Sequence, residues 1–216
     1  MKFFDIFPTF AEAPYSYIVV PIIFVCSIIG FYSKSFLHAL ILHPYEIARG
    51  KRIHTLLTSA LVHRNWLHLL FNCIVIFGLG YDMCAVLNQE YGPLIAYIGT
   101  ITIFFLLIIL PNLIQTFFRK NDFTFTAVGA SGLSFGLFGF SALFFPLQKT
   151  SSHIFSFVQN TTHRWIVGLV ILILLTFVGK LKKINKQLHL AAYLIGSIVA
   201  LMIRHTSIIE MYQALF

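Results

Sequence analysis

The spacing of its charges limits most strongly how this chain can fold. Between them lie apolar runs that give six candidate spans, at about 13–33, 65–81, 91–112, 126–146, 165–180 and 187–204. A helix needs about 20 residues to cross the hydrocarbon core of a bilayer, and in lipid a helix satisfies its own backbone hydrogen bonds. With 58% hydrophobic and 10% charged residues, the chain lies far from the composition of a soluble domain. These observations predict an all-α polytopic membrane protein, a six-transmembrane-helix bundle forming a single domain over 1–216. Glu12 precedes the first run and no small-residue cleavage site follows it, so that run reads as a span and not as a signal peptide.

The charged residues narrow the function. The formal charge of +8 comes from Lys and Arg placed in short connections between runs, a pattern suited to lipid headgroups and not to nucleic acid. Cys26, Cys73 and Cys84 sit in or at the ends of runs without paired spacing, and read as packing residues. There is no His-Glu-x-x-His pattern, so no metal is implied, and no cofactor either. The longest connection, Lys34 to Arg64, holds an apolar patch at 36–42 that is too short to span; it should lie in the interface or fold against the helices. Shorter connections are expected at 82–90, 119–122 and 181–186, with a polar loop at 149–164.

Alternation gives these spans a useful property. The second, fourth and sixth cross in the same direction, and each carries polar residues near its start. His68 and Asn72 open the second, Ser131 the fourth and His189 the sixth. All four therefore fall on one side of the membrane at similar shallow depth. His68 and Asn72 are four apart and share a helical face, whereas His63 belongs to the loop entering that span. Gly132, Gly136 and Gly139 form a strip along the fourth span, and Ala192, Gly196 and Ala200 one along the sixth. Small residues at such spacings let membrane helices approach closely. If the strips face each other, the Ser131 hydroxyl and the His189 imidazole meet at one end of a tight pair.

These residues resemble a known family. Val62-His63-Arg64-Asn65-Trp66-Leu67-His68-Leu69-Leu70-Phe71-Asn72 is similar to the second-helix signature of rhomboid intramembrane serine proteases. Gly129-Ala130-Ser131-Gly132 is similar to their nucleophile motif, and His189 with Ala192 and Gly196 to their last-helix motif. The resemblance runs from about Thr55 to Ala200. It implies a catalytic dyad of Ser131 and His189, with His68, Asn72 and the backbone N–H at Ser131 holding the oxyanion, and Gly129 and His63 in support. It also implies that Phe135 takes the place of the aromatic, commonly Tyr, that stacks on the catalytic imidazole. Other positions also depart from the family pattern. His54-Thr55 stands where a Trp-Arg pair is common, Leu188 where Ala is preferred, and Ala192 where Gly is preferred.

The chemistry follows from these groups. A neutral His189 takes the proton of Ser131 as the hydroxyl attacks a peptide carbonyl. No Asp or Glu is near His189 in sequence, so packing must orient the ring and turnover should be slow. The tetrahedral oxyanion needs preorganised donors. Taken singly, each residue has a blander reading: Ser131 as a packing hydroxyl, His189 as an interfacial residue, His68 and Asn72 as an interhelical bond. A non-catalytic relative that binds membrane clients, or a small transporter, are the rival classes. The expected partners are single-span membrane proteins and the lipid bilayer; the sequence gives no oligomeric state.

Orientation divides two arguments. The resemblance implies cytoplasmic termini and a site facing the extracytoplasmic side of the plasma or inner membrane. That assignment leaves Lys2, Lys149, Arg164 and Arg204 inside and the other 11 of the 15 Lys and Arg residues outside, the reverse of the positive-inside bias. The expectation adopted is the orientation of the family.

Overall fold

The computed structural model describes residues 8–150, 158–177 and 185–215. Among the described residues the regular structure is helical, with two isolated bridges, Leu42 to Ala127 and Lys149 to Asn160. They fall into two compact units, Met1–Ser134 and Phe135–Phe216.

The first unit contains α1 (Pro14–Tyr32), α2 (Lys34–Leu40), α3 (Pro44–Ile47), α4 (Thr55–Thr58), a 3-10 turn (Ser59–Leu61), α5 (Trp66–Tyr91), α6 (Pro93–Arg119) and the first turn of α7 (Ser131–Phe144). Local chemistry sets these boundaries. Pro14, Pro44 and Pro93 begin helices where a missing N–H costs nothing. The Asn65 side chain caps α5 by accepting the His68 N–H at 2.9 Å. Gly92, at φ 83°, ends α5 in a conformation that favours glycine. Where α1, α5 and α6 meet, Ser16 Oγ donates to the Phe77 carbonyl at 2.9 Å, and a Cβ on Gly80 would stand 3.0 Å from both Ser16 Oγ and Phe104 Cζ.

Three boundaries differ from expectation. Residues 82–90, expected as a connection, continue α5 to Tyr91. Asp82, Asn88, Gln89 and Glu90 end the apolar run without breaking the helix; only Gly92-Pro93 does that. Likewise α6 runs on to Arg119 through a buried Pro111. In contrast α7 begins at Ser131 and not near 126, because the preceding segment is extended. The Leu42 N–H donates to the Ala127 carbonyl at 2.9 Å, and the Ala127 N–H to the Leu42 carbonyl at 3.1 Å. The apolar patch of the first connection folds against the helices: α2 packs on α1, with Leu37 beside Gly30.

The second unit contains the rest of α7, α8 (Thr161–Phe177), α9 (Lys186–Ile203) and α10 (Thr206–Leu215). Asn160 starts α8 by accepting the His163 N–H at 2.8 Å, so the helix begins inside the expected polar loop. Residues 151–157 of that loop, and 181–184 of the expected connection, lie outside the described residues. The closing helix α10 had no counterpart in the sequence reading. Among the described residues, four helices (α1, α5, α6 and α9) are long and apolar enough to cross a membrane, while α7 and α8 are apolar but shorter, at 14 and 17 residues.

Candidate active site

In the first unit, a directional hydrogen-bond network surrounds the turn that precedes Ser131. His63 is fully buried in the loop before α5. Its Nε2 accepts the Ala130 N–H at 3.1 Å and an Asn72 amide hydrogen at 3.3 Å. Two donors on one nitrogen require that nitrogen to be unprotonated, so Nδ1 carries the hydrogen and donates to Ser27 Oγ at 2.9 Å. Ser27 Oγ in turn donates to the Leu61 carbonyl at 3.0 Å. A protonated ring would lose the Nε2 acceptor. Burial, with a smaller contribution from nearby His68, pushes the His63 pKa down to about 3.

Asn72 is also fully buried. Its amide donates to the His68 carbonyl at 2.7 Å, and its Oδ1 accepts the Ser134 hydroxyl at 2.7 Å. Both amide hydrogens are thus engaged, the one on His63 at the longer distance. The Gly129 N–H donates to the Ser59 carbonyl at 2.9 Å, and the Asn112 amide reaches Ser59 Oγ at 3.2 Å and the Leu56 carbonyl at 2.8 Å. The His68 ring lies edge-on to His63, centroids 4.9 Å apart, and closes over Gly129. Gly129 has φ 113°, and a Cβ there would come within 2.5 Å of His68 Cε1. Only glycine suits that position. Ser131 follows as the first residue of α7, 5% exposed. The N–H groups of this first turn have no acceptor within the helix.

The second unit positions His189 by different means. Its ring stacks on Phe135 with centroids 4.2 Å apart and planes 16° apart. Beneath that stack α7 and α9 approach to backbone contact. A Cβ on Gly139 would strike the Tyr193 carbonyl and stand 2.9 Å from Ser197 Oγ. A Cβ on Gly196 would strike the Gly136 carbonyl. Ser197 Oγ donates to the Tyr193 carbonyl at 2.8 Å and accepts the Trp165 indole N–H at 2.8 Å, while the Tyr193 hydroxyl donates to the Trp165 carbonyl at 3.0 Å. Gly136, Gly139 and Gly196 therefore belong to one seam. Gly132, expected in the same strip, instead faces the Leu107 carbonyl and Pro111 of α6.

The first unit thus gathers His63, His68, Asn72 and Gly129 around the turn leading into Ser131, and the second gathers Phe135 and His189. Sequence reasoning passed over Ser27, Ser59, Asn112 and Ser134. Ser27, Asn112 and Ser134 are polar residues within apolar runs, and that alone was a signal for them. Ser59 had none, because it lies outside the apolar runs and its partners, Asn112 and Gly129, are distant in sequence. Among the described residues, no group of three or more His, Cys, Asp or Glu side chains stands close enough to hold a metal ion.

A family model described as the Rhomboid domain matches residues 50–206. The match takes in every residue named in these two clusters except Ser27. No curated protein matches the chain.

Proposed function

The chain belongs to the rhomboid family and is an integral membrane protein; from that premise we propose that it is an intramembrane serine endopeptidase. It cuts single-span membrane proteins in or near their spans, using Ser131 as nucleophile and His189 as general base. The observation that carries this reading is the stack of Phe135 on His189. Phe135 follows Ser131 by one turn of the same helix, so the two side chains share a face of α7. A group stacked on Phe135 is a candidate to reach the hydroxyl.

In this proposal α7 and α8 complete six spans in a single domain over 1–216. At 1.5 Å per residue they are about 21 and 25 Å long, short helices that local bilayer thinning accommodates. Attack by Ser131 Oγ on the scissile carbonyl passes its proton to His189, which returns it to the leaving amine; water then releases the acyl enzyme by the same route. The oxyanion takes hydrogen bonds from the Ser131 N–H, from His68, and from the Asn72 hydrogen that rests on His63 at 3.3 Å. His63 and Gly129 hold the turn in place. No metal or cofactor enters the reaction.

A peptide bond within a helix has its carbonyl already bonded, so substrates with Gly or another weak helix former near the cut should unwind more readily, by up to about 1 kcal/mol per Gly relative to Ala. The site opens to the extracytoplasmic side of a plasma or inner membrane. Cysteine labelling at positions 121 and 184 tests that orientation, and labelling only from the cytoplasmic side would reverse it. The activity is tested by reconstituting the protein with a single-span reporter. Cleavage by the natural sequence and none by Ser131→Ala supports it; equal cleavage by both overturns it. Binding of the reporter without any cleavage favours a non-catalytic client-binding relative.

A further inference from the structure

The closing helix α10 has three distinct sides. Its underside is tied to the second unit. Ser207 Oγ donates to the Phe144 carbonyl at 2.7 Å, and Arg204, at the turn before the helix, donates to the same carbonyl at 3.2 Å. The Arg204 guanidinium also makes a bidentate pair with Glu210 at 2.8 and 2.6 Å and lies over the Phe145 ring at 4.6 Å. Ser207, Glu210, Met211 and Ala214 make up this side. A second side, Thr206 and Gln213, is exposed and polar. The third is exposed and apolar: Ile208, Tyr212 and Leu215 recur at helical spacing, flanked by Ile209, and are 50, 64, 43 and 62% exposed.

From this arrangement we infer that α10 lies in the plane of the membrane interface, its Ile208–Tyr212–Leu215 stripe and Ile209 sunk into the boundary between headgroups and acyl chains. The occupant of the stripe is lipid. Position argues for it first. The 18 residues of α9 are about 27 Å long, close to one hydrocarbon thickness, and only Arg204 and His205 separate α9 from α10. The helix is therefore held at the depth where interfacial helices bury their apolar sides, about 5–10 Å into the boundary. Continuity argues second, because the exposed apolar residues of α9 (Leu194, Ile198 and Met202) lead along its length to the start of α10. Size argues third. A four-residue stripe is far smaller than the roughly 20–30 residues a side of a stable protein interface. Tyr212 suits the interface, with an apolar ring and a polar tip. Because Ser207 and Arg204 both grip the last carbonyl of α7, lipid seating of α10 also fixes the end of α7 remote from Ser131.

The test uses the full chain, with Cys26, Cys73 and Cys84 replaced and single cysteines placed at exposed positions of α10. An environment-sensitive fluorophore at 209 or 212, in phospholipid vesicles, should emit at shorter wavelength than one at 206 or 213. It should also be quenched by lipids brominated near the headgroup about twofold or more strongly. Equal quenching by aqueous iodide at all four positions overturns the inference. Disulfide cross-linking of two copies through position 212, in place of quenching by lipid, would assign the stripe to a second copy and overturn it as well.

Discussion

The two units hold their candidate residues by opposite kinds of physics. In the first, buried polar groups form an oriented chain from Leu61 through Ser27, His63 and Asn72 to Ser134, with Ala130 joined at its centre. In the second, the imidazole rests on an aromatic face above a seam where Gly136, Gly139 and Gly196 let backbones touch. A hydrogen-bond chain is directional, and it fails when a partner changes protonation. A glycine seam is steric, indifferent to pH, and fails when a single carbon is added. The difference teaches where each unit is vulnerable, and it can be broken from either side.

The largest effect should come from His189→Ala, which removes the proposed base and leaves the seam intact. Cleavage should fall by about 10³-fold or more, with little loss of thermal stability. A drop in activity matched by an equal drop in folded protein would make His189 structural. Next is Gly129→Ala. It forces a side chain into φ 113° and into the His68 ring, displacing the turn that leads to Ser131. A misplacement of about 1 Å can cost about 10²-fold in rate, so kcat should fall by that order. Unchanged kcat would show that the turn tolerates movement.

Two milder tests separate the units. Gly196→Ala should destabilise by about 1–3 kcal/mol, because the new methyl meets the Gly136 carbonyl and the seam must open. That loss should be the same at pH 7 and pH 5, measured as the shift in the denaturation midpoint in detergent. His63 should supply the contrast. Its pKa is about 3 in the fold, against about 6.5 in an unfolded chain. A depressed folded pKa means that the unfolded state binds more protons as the solution becomes acidic. His63 therefore contributes its full stability above pH 6.5, and that contribution is lost progressively as pH falls towards 3. Hydrogen exchange, corrected for its intrinsic pH dependence, should show protection at the Ala130 amide falling over that range, and in His63→Gln the added acid sensitivity should be absent. An Ala130 amide whose protection is flat with pH would contradict the network.

Much of this was legible in the sequence. The limits of α1 and α9 fall within a residue of the expected spans because a break in the apolar run and a break in the helix coincide there. At α5 they do not: Asp82 and Glu90 end the apolar run but are tolerated in a helix, so only Gly92-Pro93 marks the true stop. The start of α7 was hidden for another reason. Residues 126–130 are apolar enough for a span, and what keeps them out of the helix is the pairing of Ala127 with Leu42, 85 positions earlier, followed by the turn at Gly129. His63 was rightly placed in the loop before α5. Its partners Ser27 and Ala130, 36 and 67 positions away, could not be read from local spacing. Gly132 shows the same limit. A helical repeat tells which residues share a face, but not which neighbour that face meets at each level.

The central claim is that Ser131 is a nucleophile activated by His189. A fluorophosphonate probe tests it directly, since it reports the reactive hydroxyl without requiring the natural substrate. Labelling of the detergent-solubilised protein, mapped by mass spectrometry, should fall on Ser131, disappear in Ser131→Ala and drop steeply in His189→Ala. Labelling that maps elsewhere, or that persists undiminished in His189→Ala, would contradict it.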